Sequence, residues 1–216
     1  MKSRQLQIAL APRIADVVRW KQAPKVLCID IPIGLLHEAV PGGRECDREA
    51  RKLLGRPRGS SVFPPPARRA LKARTWEEAD RLNRSTGPDA PGRPLQTFAI
   101  IPKIREIDEL ITRSLPIGIV EVHPEMCFFE MNGKRPVVES KKTAEGRRRR
   151  IRLLGNAWER KVSHIVESRP TGVGRDDIID AMAACWTAER VLEGIAIPIP
   201  DKPSRDRRGL LMRIVR

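Results

Sequence analysis

Two apolar runs stand out along the chain, residues 25–31 (KVLCIDI) and 117–122 (IGIVEV). Each is compact, carries one carboxylate, and is followed by a proline, Pro32 or Pro124. Such runs predict buried strands. Between and after them the period changes to that of a helix. Residues 12–20 place Ile14, Val17 and Val18 on one side, and residues 44–54 do the same with Cys46, Ala50, Leu53 and Leu54. Residues 75–83 open on Thr75 and Glu78, the spacing of a capping box. Residues 96–113 are helical, with Pro102 near a start or kink. Helices are also predicted over 124–131 and over 144–166, the latter broken near Gly155-Asn156. The last long one, 176–192, turns Ile178, Ala181, Met182, Cys185, Ala188 and Leu192 inward. Residues 5–10, 195–199 and 209–215 read as short extended pieces. Gly- and Pro-rich loops fill 32–43 and 85–94. The stretch 55–66 ends in Pro64-Pro65-Pro66, a stiff extended segment; SSVFPPP (60–66) is expected to form a cleft-lining loop, with a simple spacer as the alternative for the three prolines. Strands alternating with helices predict an α/β fold with a largely parallel central sheet.

Composition narrows the partners more than the fold. The chain has 216 residues, 42 Lys plus Arg against 27 Asp plus Glu, and a formal net charge of +15. That balance points to polyanions, nucleic acid first. Two blocks concentrate it: residues 44–74 hold ten basic and three acidic residues, and 141–160 hold eight and two. Lys141, Lys142, Arg147, Arg148, Arg149 and Arg150 are the expected nucleic-acid-binding residues; the alternative is a solvated helix face. The chain has no Tyr and only 4% aromatic residues, so a platform that splays bases over rings is not expected, and nucleic acid would be held mostly by its phosphates. No apolar run reaches the ~20 residues of a membrane span, and no secretory signal is visible. Cys28, Cys46, Cys127 and Cys185 have no CxxC spacing. These features predict a reduced cytoplasmic protein with neither disulfides nor a zinc site.

Three acidic positions carry the candidate chemistry. Asp30 and Glu121 each lie near the carboxyl end of a predicted strand, where parallel α/β sheets collect ligands. An ionised carboxylate there costs several kcal/mol unless it is paired or bound to a cation. Asp177 and Asp180, three apart at the start of the last helix, share a face. Convergence of Asp30, Glu121, Asp177 and Asp180 would give a hard-oxygen site for Mg²⁺ or Mn²⁺, the machinery of phosphodiester hydrolysis. The structural alternatives are an N-cap role for Asp176, a favourable macrodipole for its neighbours, an arginine partner for Glu121, and a supporting role for His123. A P-loop, a GxSxG elbow and an HExxH motif are all missing from the sequence.

Six ordered blocks, IDIPIGL (29–35), RECDREARKLLG (44–55), SSVFPPP (60–66), EVHPEMCFFEMNG (121–133), SKKTAEGRRRR (140–150) and GRDDIIDAMAACWTAER (174–190), resemble the domain-of-unknown-function family 429. The resemblance spans residues 5–216 and implies a predicted nuclease with a ribonuclease-H-like, three-layer fold and a mixed central sheet. It implies one domain over 1–216 with a helical insertion around 36–113. It also implies metal-holding and catalytic roles for Asp30, Glu121 and Asp177 or Asp180, the DDxxDA setting being similar to that of Holliday-junction resolvases. Family members open with a strand bearing Asp-Gly and a hairpin. Here QLQIAL aligns with the third strand of that fold, so the expectation is an N-terminally truncated version or one that has lost the ligand. Backbone groups of 25–31 left unpaired would cost about 1–3 kcal/mol each where buried.

Three functions follow as expectations. The first is a metal-dependent nuclease using Mg²⁺ or Mn²⁺, inactive if the first-strand ligand is lost. The second is a non-catalytic nucleic-acid-binding protein on the same fold. The third, phosphoryl transfer to a small substrate, rests on the use of this fold by sugar kinases and lacks a Gly-rich phosphate loop.

Overall fold

Two short strands and the helices packed against them determine where the acidic residues go. In the computed structural model, which describes residues 6–92, 95–111, 115, 117–158 and 162–216, strand β1 (Val26–Ile29) pairs in parallel with β2 (Gly118–Glu121). The register sets Leu27 beside Ile119, Cys28 beside Val120 and Ile29 beside Glu121. Further on, Val122 bridges in parallel to Val215 of strand β4 (Ile214–Val215), which pairs antiparallel with β3 (Pro198–Ile199). The small β structure is therefore mixed.

Helices cover β1 and β2 on both faces, as the α/β pattern requires. Cys28 and Val122 pack into one core cluster with α5 (Pro124–Met131), α6 (Ala144–Ala157), α7 (Ser163–Glu167) and α8 (Arg175–Leu192). Leu27, Ile29 and Ile119 pack on the opposite side with α1 (Ile14–Val18) and α4 (Leu95–Leu110). Between β1 and β2 the chain is mostly helical: α2 (Glu45–Arg58), α3 (Trp76–Arg84) and α4, with tight 3₁₀ turns at Gly59–Ser61 and Arg68–Lys72. Among the described residues no helix is long and apolar enough to cross a membrane.

Several expectations move by a turn or by a face. Residues 6–10 are irregular rather than a strand. The remaining parts of three expected elements, at residue 5, at 112–113 and at 159–161, lie outside the described residues. The helix of 44–54 is prolonged to Arg58, but Gly55 takes φ 56° and ψ −164° and breaks it where glycine alone relaxes into a left-handed turn. Thr75 caps α3 by accepting from the Glu78 amide at 3.2 Å, while Glu78 reaches back to the Arg74 amide rather than to Thr75. Helix α8 buries Ile178, Ile179, Met182, Ala183, Ala184 and Thr187. Ala181, Cys185 and Leu192, expected inward, are exposed. Its cap is Gly174, whose amide donates to Asp177 Oδ2 at 3.0 Å, so Asp177 and not Asp176 closes the first turn. Gly146 lets α6 start close to the preceding loop; a Cβ there would stand 2.0 Å from the Ser140 carbonyl oxygen.

Candidate active site

The parallel register separates the two strand-end carboxylates. Side chains alternate along a strand, and Glu121 is level with Ile29, one residue before Asp30. Glu121 therefore belongs to the face of Ile29 and Ile119, and Asp30 to the face of Cys28, which packs on the α8 side. One residue of register directs the two acids to opposite layers.

Glu121 is buried and fully engaged. Arg44, at the start of α2, meets it in a two-pronged pair, Nη1 to Oε2 at 2.7 Å and Nη2 to Oε1 at 2.5 Å. The Ile33 amide donates to Oε2 at 2.6 Å. Arg44 also donates to Asp47 Oδ1 and Oδ2 and to the carbonyls of Ile33 and Gly34. The Arg44 and Asp47 side chains are 1% exposed and that of Glu121 5%, so this is an interior ion triad. Burial pushes the Glu121 carboxyl up, to about 7, against the pull of Arg44. Burial also opposes the charge on Arg44, but Asp47 and Glu121 outweigh it and hold the guanidinium well above its ordinary value. The arginine alternative for Glu121 is the one observed.

Asp30 behaves differently. It is the first residue beyond β1, and its carboxylate makes neither a hydrogen bond nor an ion pair among the described residues. The residue is open to solvent at its edge, yet protein crowds the carboxyl group. Burial raises its pKa above 3.8, with His123 and Lys141 pulling it down. Asp180, on the first turns of α8, shares this neighbourhood. Burial raises its pKa as well, Lys141 opposes, and the charges of Asp30 and Glu125 add to the rise. Lys141 Nζ donates to Asp180 Oδ2 at 2.6 Å. Burial disfavours the Lys141 ammonium, but Asp180, Glu125 and Asp30 more than compensate and raise its pKa.

Asp30 and Lys141 border a cavity of about 370 Å³ at the carboxyl ends of β1 and β2, and Asp180 adjoins it through its bond to Lys141 rather than as a lining residue. Asp30, Lys141, His123, Glu125, Arg58, Ser61 and Phe63 line it, with Arg44 and Glu121 at its base. Ser61, Val62 and Phe63 of the SSVFPPP segment supply part of its lining, as a cleft-lining loop would. His123 Nε2 lies 3.2 Å from the Ser61 carbonyl oxygen. A carbonyl only accepts, so Nε2 carries the proton and Nδ1 is left as an acceptor. That Nδ1 is buried and has no hydrogen-bond partner among the described residues, and the same holds for Arg58 Nε.

The basic block of 141–150 divides by role. Arg150 is 0% exposed and grips Glu125 through two bonds of 2.8 Å. It also donates to the carbonyls of Glu139 and Gly146. Its place among the expected nucleic-acid contacts is corrected: it ties α6 to α5 from the interior. Lys142 pairs with Asp176 at 2.6 Å, Arg147 donates to the Lys142 carbonyl at 2.7 Å, and Arg149 donates to Asn132 at 2.6 Å. Arg148 is exposed.

Of the four expected ligands, the structure leaves Asp30 and Asp180 within electrostatic reach of each other, with Lys141 acting on both, spends Asp177 on the helix cap, and sends Glu121 to Arg44. No three His, Cys, Asp or Glu side chains group closely enough to cage a metal ion among the described residues. Two carboxylates still suit Mg²⁺, which commonly takes one or two from the protein and completes its shell with phosphate oxygens and water. The sequence reading missed Arg58 as a cavity residue and reached Phe63 only as part of the SSVFPPP loop, without a role of its own; neither has a chemical motif, and only the fold of α2 and the following turn brings them there.

Comparison with characterised proteins and with solved structures gives no match. A family model described as "Protein of unknown function (DUF429)" matches residues 1–205. The match covers β1, β2, β3, the ion triad, Asp30 and Asp180, and the chain belongs to the DUF429 family.

Proposed function

We propose that this protein is a metal-dependent phosphodiester hydrolase, a nuclease of ribonuclease-H-like arrangement, working at the cavity beyond β1 and β2. The observation that carries the reading is Asp30: a carboxylate at a strand end, crowded, unpaired and electrostatically joined to Asp180. Leaving such a group without a partner is costly, and a cation shared with Asp180 would relieve the cost. Mg²⁺ or Mn²⁺ held by Asp30 and Asp180 would polarise the phosphate and acidify water. Lys141 keeps Asp180 in place and sets a positive charge beside the scissile phosphate. His123, donating from Nε2 to Ser61, can take a proton at Nδ1. The +15 net charge favours a polyanionic substrate.

The test is cleavage of single- and double-stranded DNA and RNA with Mg²⁺ or Mn²⁺, comparing wild type with Asp30→Asn and Asp180→Asn. The expected result is metal-dependent cleavage that falls at least ~100-fold in both variants while their unfolding transitions stay cooperative. Equal cleavage by all three proteins rejects the site.

A second reading, a nucleic-acid-binding protein without catalysis, is favoured by one contact: the Lys141 ammonium already neutralises Asp180. It requires binding that weakens steeply with salt and is indifferent to Mg²⁺.

A further inference from the structure

The lining of the cavity includes two side chains that the hydrolytic site does not use, Phe63 and Arg58. Phe63 is 44% exposed, an unusual position for one of only four phenylalanines in the chain. It is held where it is by its neighbours. Val62 before it is buried, and its carbonyl accepts from Arg51 Nη1 at 2.9 Å. Pro64, Pro65 and Pro66 after it restrict the backbone to extended geometry. The ring is thus presented on a stiff support at the rim. Arg58, at the end of α2, borders the same cavity, and its guanidinium makes no ion pair or hydrogen bond among the described residues. A ring with a free face, an unpaired guanidinium and the Lys141 ammonium around one opening form the elements of a nucleotide site: a surface for a base and cations for its phosphates. The volume of about 370 Å³ lies toward the small end of ligand pockets and leaves no space for a continuous duplex.

We infer that the cavity admits one unstacked nucleotide of a single-stranded nucleic acid, its base laid on Phe63 and its phosphate met by Arg58 and Lys141. This rests on the hydrolase reading for the site and adds its substrate class: single strands, loops and frayed ends in preference to paired helices. A base inside a duplex keeps its neighbours on both faces and cannot reach the ring without flipping, at a cost of a few kcal/mol.

The test measures binding of fluorescein-labelled single strands and their duplexes by anisotropy, in Ca²⁺ to suppress turnover, with the full-length chain. Wild type should prefer single strands. Phe63→Ala should weaken single-strand binding about five- to hundredfold, the loss of one base–ring stack, and leave duplex binding unchanged. Phe63→Trp should restore it. An abasic spacer walked along the strand should cost wild type affinity at one position and cost Phe63→Ala nothing there. Arg58→Gln should reduce the slope of log affinity against log salt by about one. Phe63 is half open to solvent, so Phe63→Ala is expected to keep the wild-type unfolding midpoint, which is measured alongside. Equal single-strand affinity of wild type and Phe63→Ala, equal affinity of wild type for single strands and duplexes, or no binding of either overturns the inference. If Phe63 proves irrelevant while cleavage still requires Asp30, the inference alone fails. If Asp30→Asn cleaves like wild type, the site reading itself fails.

Discussion

Substitutions in the Arg44–Glu121–Asp47 triad should rank in a particular order. Arg44→Met removes the only cation facing two buried carboxylates among the described contacts and also abandons the Ile33 and Gly34 carbonyls. Breaking a buried pair in this way costs about 3–5 kcal/mol, because the remaining charge has no compensation. Glu121→Gln is gentler. Arg44 keeps Asp47, and the new amide oxygen can still accept from the Ile33 amide, so the loss is about 1–3 kcal/mol, that of a charge-assisted hydrogen bond. For a chain of this size each kcal/mol lowers the melting temperature by about 2–4 °C. Arg44→Met should therefore melt ~6–20 °C below wild type and Glu121→Gln ~2–12 °C below. Urea unfolding at pH 7 followed by circular dichroism gives the free energies directly. If both variants fall within 0.5 kcal/mol of wild type, a threshold typical of surface substitutions, or if Glu121→Gln costs more than Arg44→Met, the triad is not the structural lock described here.

The other predictions concern the charges around the cavity. Asp30 and Asp180 both have pKa values raised by burial, so in metal-free protein their contribution to stability is present below the unfolded value of about 3.8 and is lost as pH rises through the folded values. Asp30→Asn should accordingly be as stable as wild type at pH 3 and more stable than wild type at pH 7, read from unfolding curves at the two pH values; a loss of stability at pH 7 would contradict the unpaired state of Asp30. Lys141 lowers the pKa of both carboxyls, so Lys141→Gln should move the rising limb of Mn²⁺ binding to higher pH, and an unmoved or lowered limb in a pH series would refute that coupling. Arg150→Met should cost about 3–5 kcal/mol by stranding buried Glu125, with duplex binding falling no further than the unfolding explains; a selective loss of binding with full stability would return Arg150 to the surface role.

The elements were more legible in the sequence than their faces. Both parallel strands, the capped helix after Thr75 and the helix from Pro124 follow from local period and local capping, which any isolated segment would express. The faces depend on what packs where. Helix α8 is apolar enough on two adjoining stripes that Ala181 and Cys185 read as plausibly inward as Ala183 and Ala184, and only the contact with β1 and α5 decides. Asp30 and Glu121 look equivalent in sequence, lying two residues before Pro32 and three before Pro124. Their separation depends on the offset of one strand against the other, a tertiary quantity with no local signature. The run Arg147 to Arg150 reads as a uniform basic stripe, yet a helix turns each residue by about 100°, so Arg150 enters the core beside Glu125 while Arg148 faces water. Phe63 and Arg58 carry no motif at all; their meaning comes from the cavity they border.

The proposed hydrolase requires Asp30 and Asp180 to act as one site for a divalent cation. Mn²⁺ titration of the full-length protein, followed by the loss of the free-ion paramagnetic resonance signal in the presence of a non-hydrolysable single strand, tests it without relying on turnover. The account predicts saturable binding in wild type that is lost in both Asp30→Asn and Asp180→Asn and retained in Asp177→Asn, whose carboxylate serves the helix cap. Unchanged Mn²⁺ binding in Asp30→Asn and Asp180→Asn, or binding abolished only by Asp177→Asn, would contradict it.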